Sequence, residues 1–213
     1  MVHGTRRLIG LITLFLAVFL AHAGAAACDV RVNEFCAGPG RDWDANGTFS
    51  ARDDEWIELV NTGLVPVDLS IYMISDADST IRWGGTGLMN PGEHRVVFGS
   101  DAVTWQHDNG RTVAGFSLAN AGDGVKLWQV QGADTVLVEG YTYRAHEAAT
   151  DRAVGRNPDG TGETWSLFDG LNPYTGTLDP RGTACNPTPH SPNQCDTTPA
   201  DNSTWGRIKA TYR

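Results

Sequence analysis

The sequence is poor in charge, and above all in basic residues. Charged residues make up 19% of its 213 residues, and 16 basic against 25 acidic residues give a formal net charge of −9. Proteins that bind nucleic acid non-specifically need a basic face that displaces counterions from phosphate groups, so this composition argues against that class. Glycine, proline and tryptophan are frequent instead, at 25, 10 and 7 residues. This combination favours a turn-rich all-β domain over a helical bundle or a disordered chain.

Long hydrophobic runs are also missing, apart from one at the N-terminus. The largely apolar residues 8–21 follow Arg6 and Arg7 and precede the alanine-rich residues 23–27. The run is shorter than the ~20 residues that cross a bilayer, so no membrane span is predicted. A basic start, an apolar centre and small residues predict a signal peptide over residues 1–27, and hence a secreted or cell-surface protein. The residues before Cys28 resemble a weak lipobox, which leaves a lipid anchor at Cys28 as an alternative.

The cysteines are few, and no two of them are spaced as in the usual structural zinc motifs. All four follow the predicted signal peptide, which fits an oxidising compartment. A strand between Cys28 and Cys36 would hold their Cα atoms ~26 Å apart, which is beyond disulfide reach. Cys185 and Cys195 flank a turn-rich segment that can close on itself; two cross-links from this tail to the first strand are the alternative. At least one disulfide that includes Cys185 or Cys195 is predicted.

Common catalytic motifs are absent as well. The sequence contains no Gly-x-Ser-x-Gly nucleophile elbow. No second histidine follows His146-Glu147 at the spacing of the zinc-protease helix. Residues 160–162 lack the Lys-Ser/Thr of a phosphate-binding loop. These absences predict that the protein is not an enzyme, with a metal-dependent hydrolase of unrecognised type as the alternative.

Two groups of side chains have both a structural and a functional interpretation. Glu34, Glu55 and Glu58 would form paired carboxylates if the fold brought them together, but on a β-domain they are expected to cap loops or face solvent. Trp43 and Trp105 fall in predicted loops, where they would be able to stack on a sugar or a peptide. Packing is the favoured interpretation of both tryptophans.

Apolar and β-branched runs recur along the chain, separated by clusters of Gly, Asn, Asp and Pro. Short strands at this spacing are typical of a sandwich or a barrel. No helical period is evident before residues 204–213, which suit a short helix. Residues 169–204 read as an irregular tail. The predicted strands lie near residues 30–35, 55–60, 67–74, 79–83, 94–99, 115–118, 124–130 and 135–143.

Several short segments, in this order, resemble elements of the lamin tail domain family. Each segment is unspecific alone, but their common order makes the resemblance specific, and it covers residues 29–193. It implies an immunoglobulin-like β-sandwich, within a domain at residues 28–193 that is followed by a C-terminal tail at residues 194–213. The segments are Val30–Phe35, Glu55–Asn61, Val67–Asp76, Leu88–Glu93, Leu118–Leu127, Arg156–Gly160 with Trp165, and Pro187–Asn193.

The resemblance also implies a function. Lamin tail domains are generally non-catalytic and are thought to serve binding, adhesion or tethering. For an exported chain we therefore expect a binding or tethering domain whose partner is an extracellular protein or a polysaccharide, and not a nucleic acid.

One segment, residues 42–53, has the layout of a twelve-residue calcium loop. Oxygen-bearing side chains occupy its positions 1, 3, 5 and 9, a glycine position 6, a backbone carbonyl position 7 and an acid position 12. The acid is Asp where calcium loops carry a bidentate Glu, and strands flank the segment in place of helices. An Asx-rich turn without metal is the alternative. The predicted calcium ligands are Asp42, Asp44, Asn46, Thr48, Ser50 and Asp53.

Overall fold

The computed structural model describes residues 29–195, and this part of the chain is built mainly from strands. The predicted signal peptide, Cys28 and the helix predicted at residues 204–213 lie outside the described residues. Between residues 29 and 195, no helix is long and apolar enough to cross a membrane. The strands are β1 (Val30–Cys36), β2 (Trp56–Asn61), β3 (Val67–Asp68), β4 (Tyr72–Ser75), β5 (Ile81–Gly84), β6 (Leu88–Met89), β7 (His94–Phe98), β8 (Gly122–Gln131), β9 (Asp134–Arg144), β10 (Ala153–Asn157) and β11 (Thr164–Phe168), and helix α1 (Gly99–Asp108) follows β7.

Two antiparallel sheets pack face to face. The first has the strand order β11-β10-β1-β2-β7, the second has the order β5-β4-β8-β9, and β3 and β6 form a separate short pair. Alternate side chains of both sheets enter the core between them, as the two-residue period of a strand requires. Ile57 and Leu59 of β2 meet Ile74 of β4 and Leu127 of β8 there. The predicted all-β, immunoglobulin-like β-sandwich is confirmed.

The outer face of the five-stranded sheet is buried by residues 185–195, which we call the C-terminal cover. A disulfide between Cys185 and Cys195 closes this segment, with the two Cα atoms 5.4 Å apart. Cys185 packs with Cys36 and Trp56 in a second apolar cluster, and the thiol of Cys36 is free. All six residues of β2 are consequently buried. The predicted disulfide is confirmed, as a loop that closes on itself.

A bulge in β1 adjusts this strand to the cover. Val32 lies opposite Leu59 and Glu34 lies opposite Glu58, so β1 contains one more residue than β2 at this point. Because of the extra residue, Asn33 and Glu34 can both face outwards. Each of these two side chains makes hydrogen bonds to the C-terminal cover.

Helix α1 contradicts the prediction that no helix precedes residue 204. Its buried residues are Gly99, Ala102 and Gln106. None of them is a large apolar residue, so the helix has little of the 3.6-residue hydrophobic period by which helices are predicted. The helix also carries Trp105, which the sequence analysis places in a loop.

Three strand predictions are corrected as well. Residues 115–118 are irregular, because Gly115 and Ser117 adopt φ angles of 66° and 61°, which no strand accommodates. The predicted strand 67–74 is divided by a 3₁₀ turn at Leu69–Ile71. The strands β10 and β11 lie in a region for which no strand is predicted, where turn residues on both sides obscure their short pattern.

Candidate functional site

The long connection from β1 to β2 brings three carboxylates together. One oxygen each of Asp42, Asp44 and Asp54 lies within 4.8 Å of the others. Asp54 is fully buried two residues before β2, and its oxygens accept hydrogen bonds from the backbone N–H of Trp43 (2.6 Å), Asp44 (3.1 Å) and Ser50 (2.7 Å). Asp54 therefore joins both ends of the loop and aims its carboxylate at the other two.

The remaining acid of the predicted calcium set lies elsewhere. Asp53 forms an ion pair with Arg52, with 2.8 Å between Oδ1 and Nε. Its backbone N–H donates to the hydroxyl of Ser50 (3.2 Å). The structure thus brings Asp42 and Asp44 together with Asp54 rather than Asp53. The twelve-residue spacing of a helix-flanked calcium loop predicts the last acid at Asp53, one residue before the acid that joins the cluster. A strand and not a helix follows this loop, so that spacing does not apply here.

The side chains of Asn46 and Asp42 make short-range hydrogen bonds within the loop. The side-chain carbonyl of Asn46 accepts from the N–H of Thr48 (2.9 Å), and its amide donates to Asp44 (2.9 Å). The carboxylate of Asp42 accepts from the N–H of Asn46 (3.1 Å) and of Gly47 (2.8 Å). These are the interactions of an Asx-rich turn. They order the loop while leaving lone pairs on the carboxylates.

Asp44 and Asp53 favour their charged form. Slight burial opposes ionisation of Asp44, but hydrogen bonds from Ser100 and Asn46 outweigh it and lower the pKa of Asp44. The hydrogen bond from Arg52 lowers the pKa of Asp53. At neutral pH Asp44 therefore presents anionic oxygens to the cluster, and such oxygens are the ligands that calcium prefers.

A second polar cluster lies beneath the C-terminal cover. Glu34 and Glu58 face each other across β1 and β2, and both are fully buried. Glu34 accepts hydrogen bonds from the N–H (3.1 Å) and the hydroxyl (2.7 Å) of Thr188. Glu58 accepts from the side-chain amide of Asn33 (2.8 Å) and from the N–H of His190 (2.6 Å). The two glutamates thus hold the cover through its backbone.

Two asparagines and an aspartate complete this cluster. Asn193 donates to the carbonyls of Asn33 and Arg156, both at 3.0 Å. Its own N–H donates to Asp159 (2.7 Å), which also meets Nε2 of His94 at 3.1 Å. These polar groups of the sheet therefore have hydrogen-bond partners in the cover, as most buried polar groups do.

Burial governs the ionisation of these acids. It raises the pKa of Glu34 to about 8, although hydrogen bonds from Thr188 oppose it. It raises the pKa of Glu58 to about 7, against the hydrogen bond from Asn33. Glu55 lies apart from this pair and accepts from the N–H of Leu118 (3.4 Å), and burial raises its pKa to about 8.

Strongly shifted pKa values often mark catalytic groups, but the geometry here is structural. The oxygens of Glu34 and Glu58 already bond to backbone and side-chain donors of the cover and the sheet. The sequence analysis considers three glutamates as possible paired carboxylates. Glu34 and Glu58 lie next to each other in the structure, and Glu55 lies apart from them. Sequence alone could not show the meeting, because the residues that bury the pair lie more than 120 positions further along the chain.

The sandwich places this chain in the immunoglobulin-like class, whose loops and sheet edges carry varied functions. A model of the lamin tail domain family matches residues 23–145, which is more than half of the chain. The chain therefore belongs to the lamin tail domain family, whose immunoglobulin-like domains are typically non-catalytic. No curated protein and no solved structure matches it. The match ends before β10, so β10, β11 and the C-terminal cover lie beyond it.

Proposed function

We propose that this protein is a secreted, non-catalytic module that binds or tethers an extracellular protein or polysaccharide, with calcium stabilising the loop between β1 and β2. Family membership supports the non-catalytic role, and the N-terminal sequence pattern and the disulfide support export. The observation that carries the calcium part is the convergence of Asp42, Asp44 and Asp54.

Calcium offsets a specific electrostatic cost in this loop. Three carboxylates within 4.8 Å repel one another, and a cation that takes six to eight oxygens relieves the repulsion. Backbone carbonyls and water supply the oxygens that the three carboxylates do not. Since Asp residues replace the bidentate Glu of tight sites, we expect a dissociation constant on the order of 10⁻⁴–10⁻³ M, as in extracellular modules.

Calcium should raise the melting temperature of the mature domain by a few degrees. At 5 mM calcium this affinity stabilises the folded state by about 1–2 kcal/mol, which corresponds to a few degrees for a domain of this size. The comparison is thermal unfolding in EDTA and in 5 mM calcium. Asp42→Ala should abolish the difference, whereas Asp134→Ala, at the exposed first residue of β9, should preserve it. If the melting temperature is unchanged and calorimetry detects no heat of calcium binding, residues 42–53 form an Asx-rich turn that does not bind calcium.

Export should yield a chain that begins near Cys28. The small residues of a signal-peptidase site cluster just before this position. Intact mass spectrometry of the secreted product measures the cleavage point directly. A mass increased by a diacylglyceryl group would establish a lipid-anchored surface module instead, and an uncleaved N-terminus would contradict export by this signal.

Binding to the cell exterior is tested with labelled mature domain on intact cells of the producing organism. We expect saturable binding that unlabelled domain competes away. The control is the same domain reduced and unfolded, which has the same composition and charge. Binding that does not exceed this control would overturn the proposed binding role.

A further inference from the structure

A groove of about 420 Å³ lies between helix α1 and the strands β5 and β7. None of the residues that line it belongs to the acidic loop or to the C-terminal cover. Its volume is within the range of small-ligand sites, which combine aromatic surface with a few polar groups. The side chains that matter to the argument are Trp83, Arg95, Asp101, Thr104, Trp105 and Asp108.

The fold holds Trp105 in a fixed position in this groove. Its indole lies against Gly84 of β5 so closely that a Cβ atom at Gly84 would come within 2.9 Å of Nε1 and 3.1 Å of Cε2. The guanidinium of Arg111 lies 5.2 Å from the ring centroid. A positioned, half-buried aromatic ring therefore forms one wall, and the mostly buried Trp83 lies beside it.

Acceptor groups line the same helix. Asp101, Thr104 and Asp108 follow one another at intervals of three and four residues, which places them on one face, and all three are exposed. One oxygen of Asp101 accepts from the N–H of Phe98 (2.9 Å). The Thr104 hydroxyl donates to the carbonyl of Ser100 (3.0 Å). Free lone pairs remain on all three side chains.

Acidic side chains outnumber basic ones around the groove. Arg95 is already paired with Glu93 at 2.5 Å, and it also donates to the carbonyl of Leu88 (2.8 Å). Asp101 and Asp108 line the groove, and Arg111 supplies only one nearby positive charge. The groove therefore disfavours an anionic ligand. An uncharged ligand with a flat apolar face and many hydroxyl groups satisfies both the indole and the free acceptors.

We propose that this groove binds a neutral oligosaccharide, with a pyranose ring against the indole of Trp105 and its hydroxyl groups donating to Asp101 and Asp108. This inference rests on the proposed binding function and deepens it, because it selects a polysaccharide over a protein as the ligand class. Charge-assisted hydrogen bonds to carboxylates would supply specificity, and the ring face would supply apolar contact.

The test is titration of the mature domain with cellohexaose, maltohexaose and chitohexaose, followed by calorimetry and tryptophan fluorescence. We expect saturable binding of at least one of these sugars. Asp108→Ala and Trp105→Ala should each weaken it at least about tenfold, and Gly84→Ala, which displaces the indole without removing it, should do the same. Asp134→Ala is the matched control, since it also removes an exposed carboxylate but does not line the groove.

Three results would overturn the proposal. The first is the absence of binding to all three sugars. The second is binding that Asp108→Ala and Trp105→Ala leave unchanged in variants that remain folded by circular dichroism. The third is preferential binding of an anionic glycan, polygalacturonate, which would contradict the neutral ligand. If the labelled domain still binds cells while the sugars do not bind, the groove is excluded and the proposed function stands.

Discussion

The domain should be substantially more stable towards denaturant at pH 5 than at pH 8. The reason is the set of buried glutamates, Glu34, Glu55 and Glu58, whose pKa values burial raises to about 8, 8 and 7. The ordinary value is 4.5, so the folded protein retains protons that the unfolded chain releases above that pH. Stability from these groups is complete below pH 4.5 and is lost as the pH rises towards 8.

The size of the effect follows from the shift. Each pKa unit corresponds to about 1.4 kcal/mol, so Glu34 alone should account for a loss on the order of 3 kcal/mol between pH 5 and pH 8. Acids with lowered pKa values, such as Asp44 and Asp53, act in the opposite direction, because their contribution is lost as the pH falls through their folded-state pKa. Stability should therefore be greatest near pH 5.

Glu34→Gln identifies the source of this pH dependence. Glutamine keeps an oxygen that can accept from the N–H of Thr188 but cannot ionise. The variant should lose less stability than the native protein between pH 5 and pH 8 and should exceed it in stability at pH 8, as measured by urea unfolding. Adding Glu58→Gln should flatten the profile further. Glu163→Gln, at a side chain that is 87% exposed, should leave the native profile unchanged, and an equal pH dependence in all variants would contradict the assignment.

Local sequence patterns predict most of the strands in the two sheets. The strands β1, β2, β7, β8 and β9 follow from alternating apolar residues between turn residues, and such strands together imply a sandwich. What the patterns cannot predict is that the C-terminal cover buries the outer face of the five-stranded sheet. In β2, Glu58 alternates with Ile57 and Leu59 as a solvent-facing residue would, yet it is fully buried. Its burial depends on His190 and its neighbours, which no local pattern connects to β2.

The candidate calcium site shows the same limit on a smaller scale. The spacing of oxygen-bearing residues predicts that Asp42 and Asp44 converge, and the structure brings them together. The third carboxylate is Asp54 and not Asp53, because the position of an acid relative to β2 decides which way it points. Asp54 faces inward and binds the loop backbone, while Asp53 faces Arg52. Residue spacing carries no information on this direction.

Removing the side chain of Asn193 should destabilise the domain on the order of 3 kcal/mol. This side chain donates to the carbonyls of Asn33 and Arg156 and accepts from the Asn33 amide (3.2 Å) and the Thr188 hydroxyl (3.1 Å). Asn193→Ala removes this donor from both buried carbonyls, and each unsatisfied group costs about 1–3 kcal/mol. The Asn33 amide keeps Glu58 as an acceptor, and the Thr188 hydroxyl keeps Glu34. Urea unfolding at pH 5 measures the loss. Asn120→Ala, at an exposed loop position, should change stability by no more than about 0.5 kcal/mol.

The loss should be shared with the disulfide, because both hold the same segment. Replacing Cys185 and Cys195 by Ser should cost about 2–3 kcal/mol by freeing a short loop in the unfolded chain. Combined with Asn193→Ala it should cost less than the sum, since a cover that is already released cannot be released again.

The free thiol of Cys36 lies buried against Cys185 beneath the cover, so its labelling by maleimide reports opening directly. In a Cys28→Ser background, labelling of Cys36 should be slow in the otherwise native protein and at least about tenfold faster with Asn193→Ala. Equal labelling rates, or strictly additive losses of stability, would show that the cover is not held as one unit by these contacts.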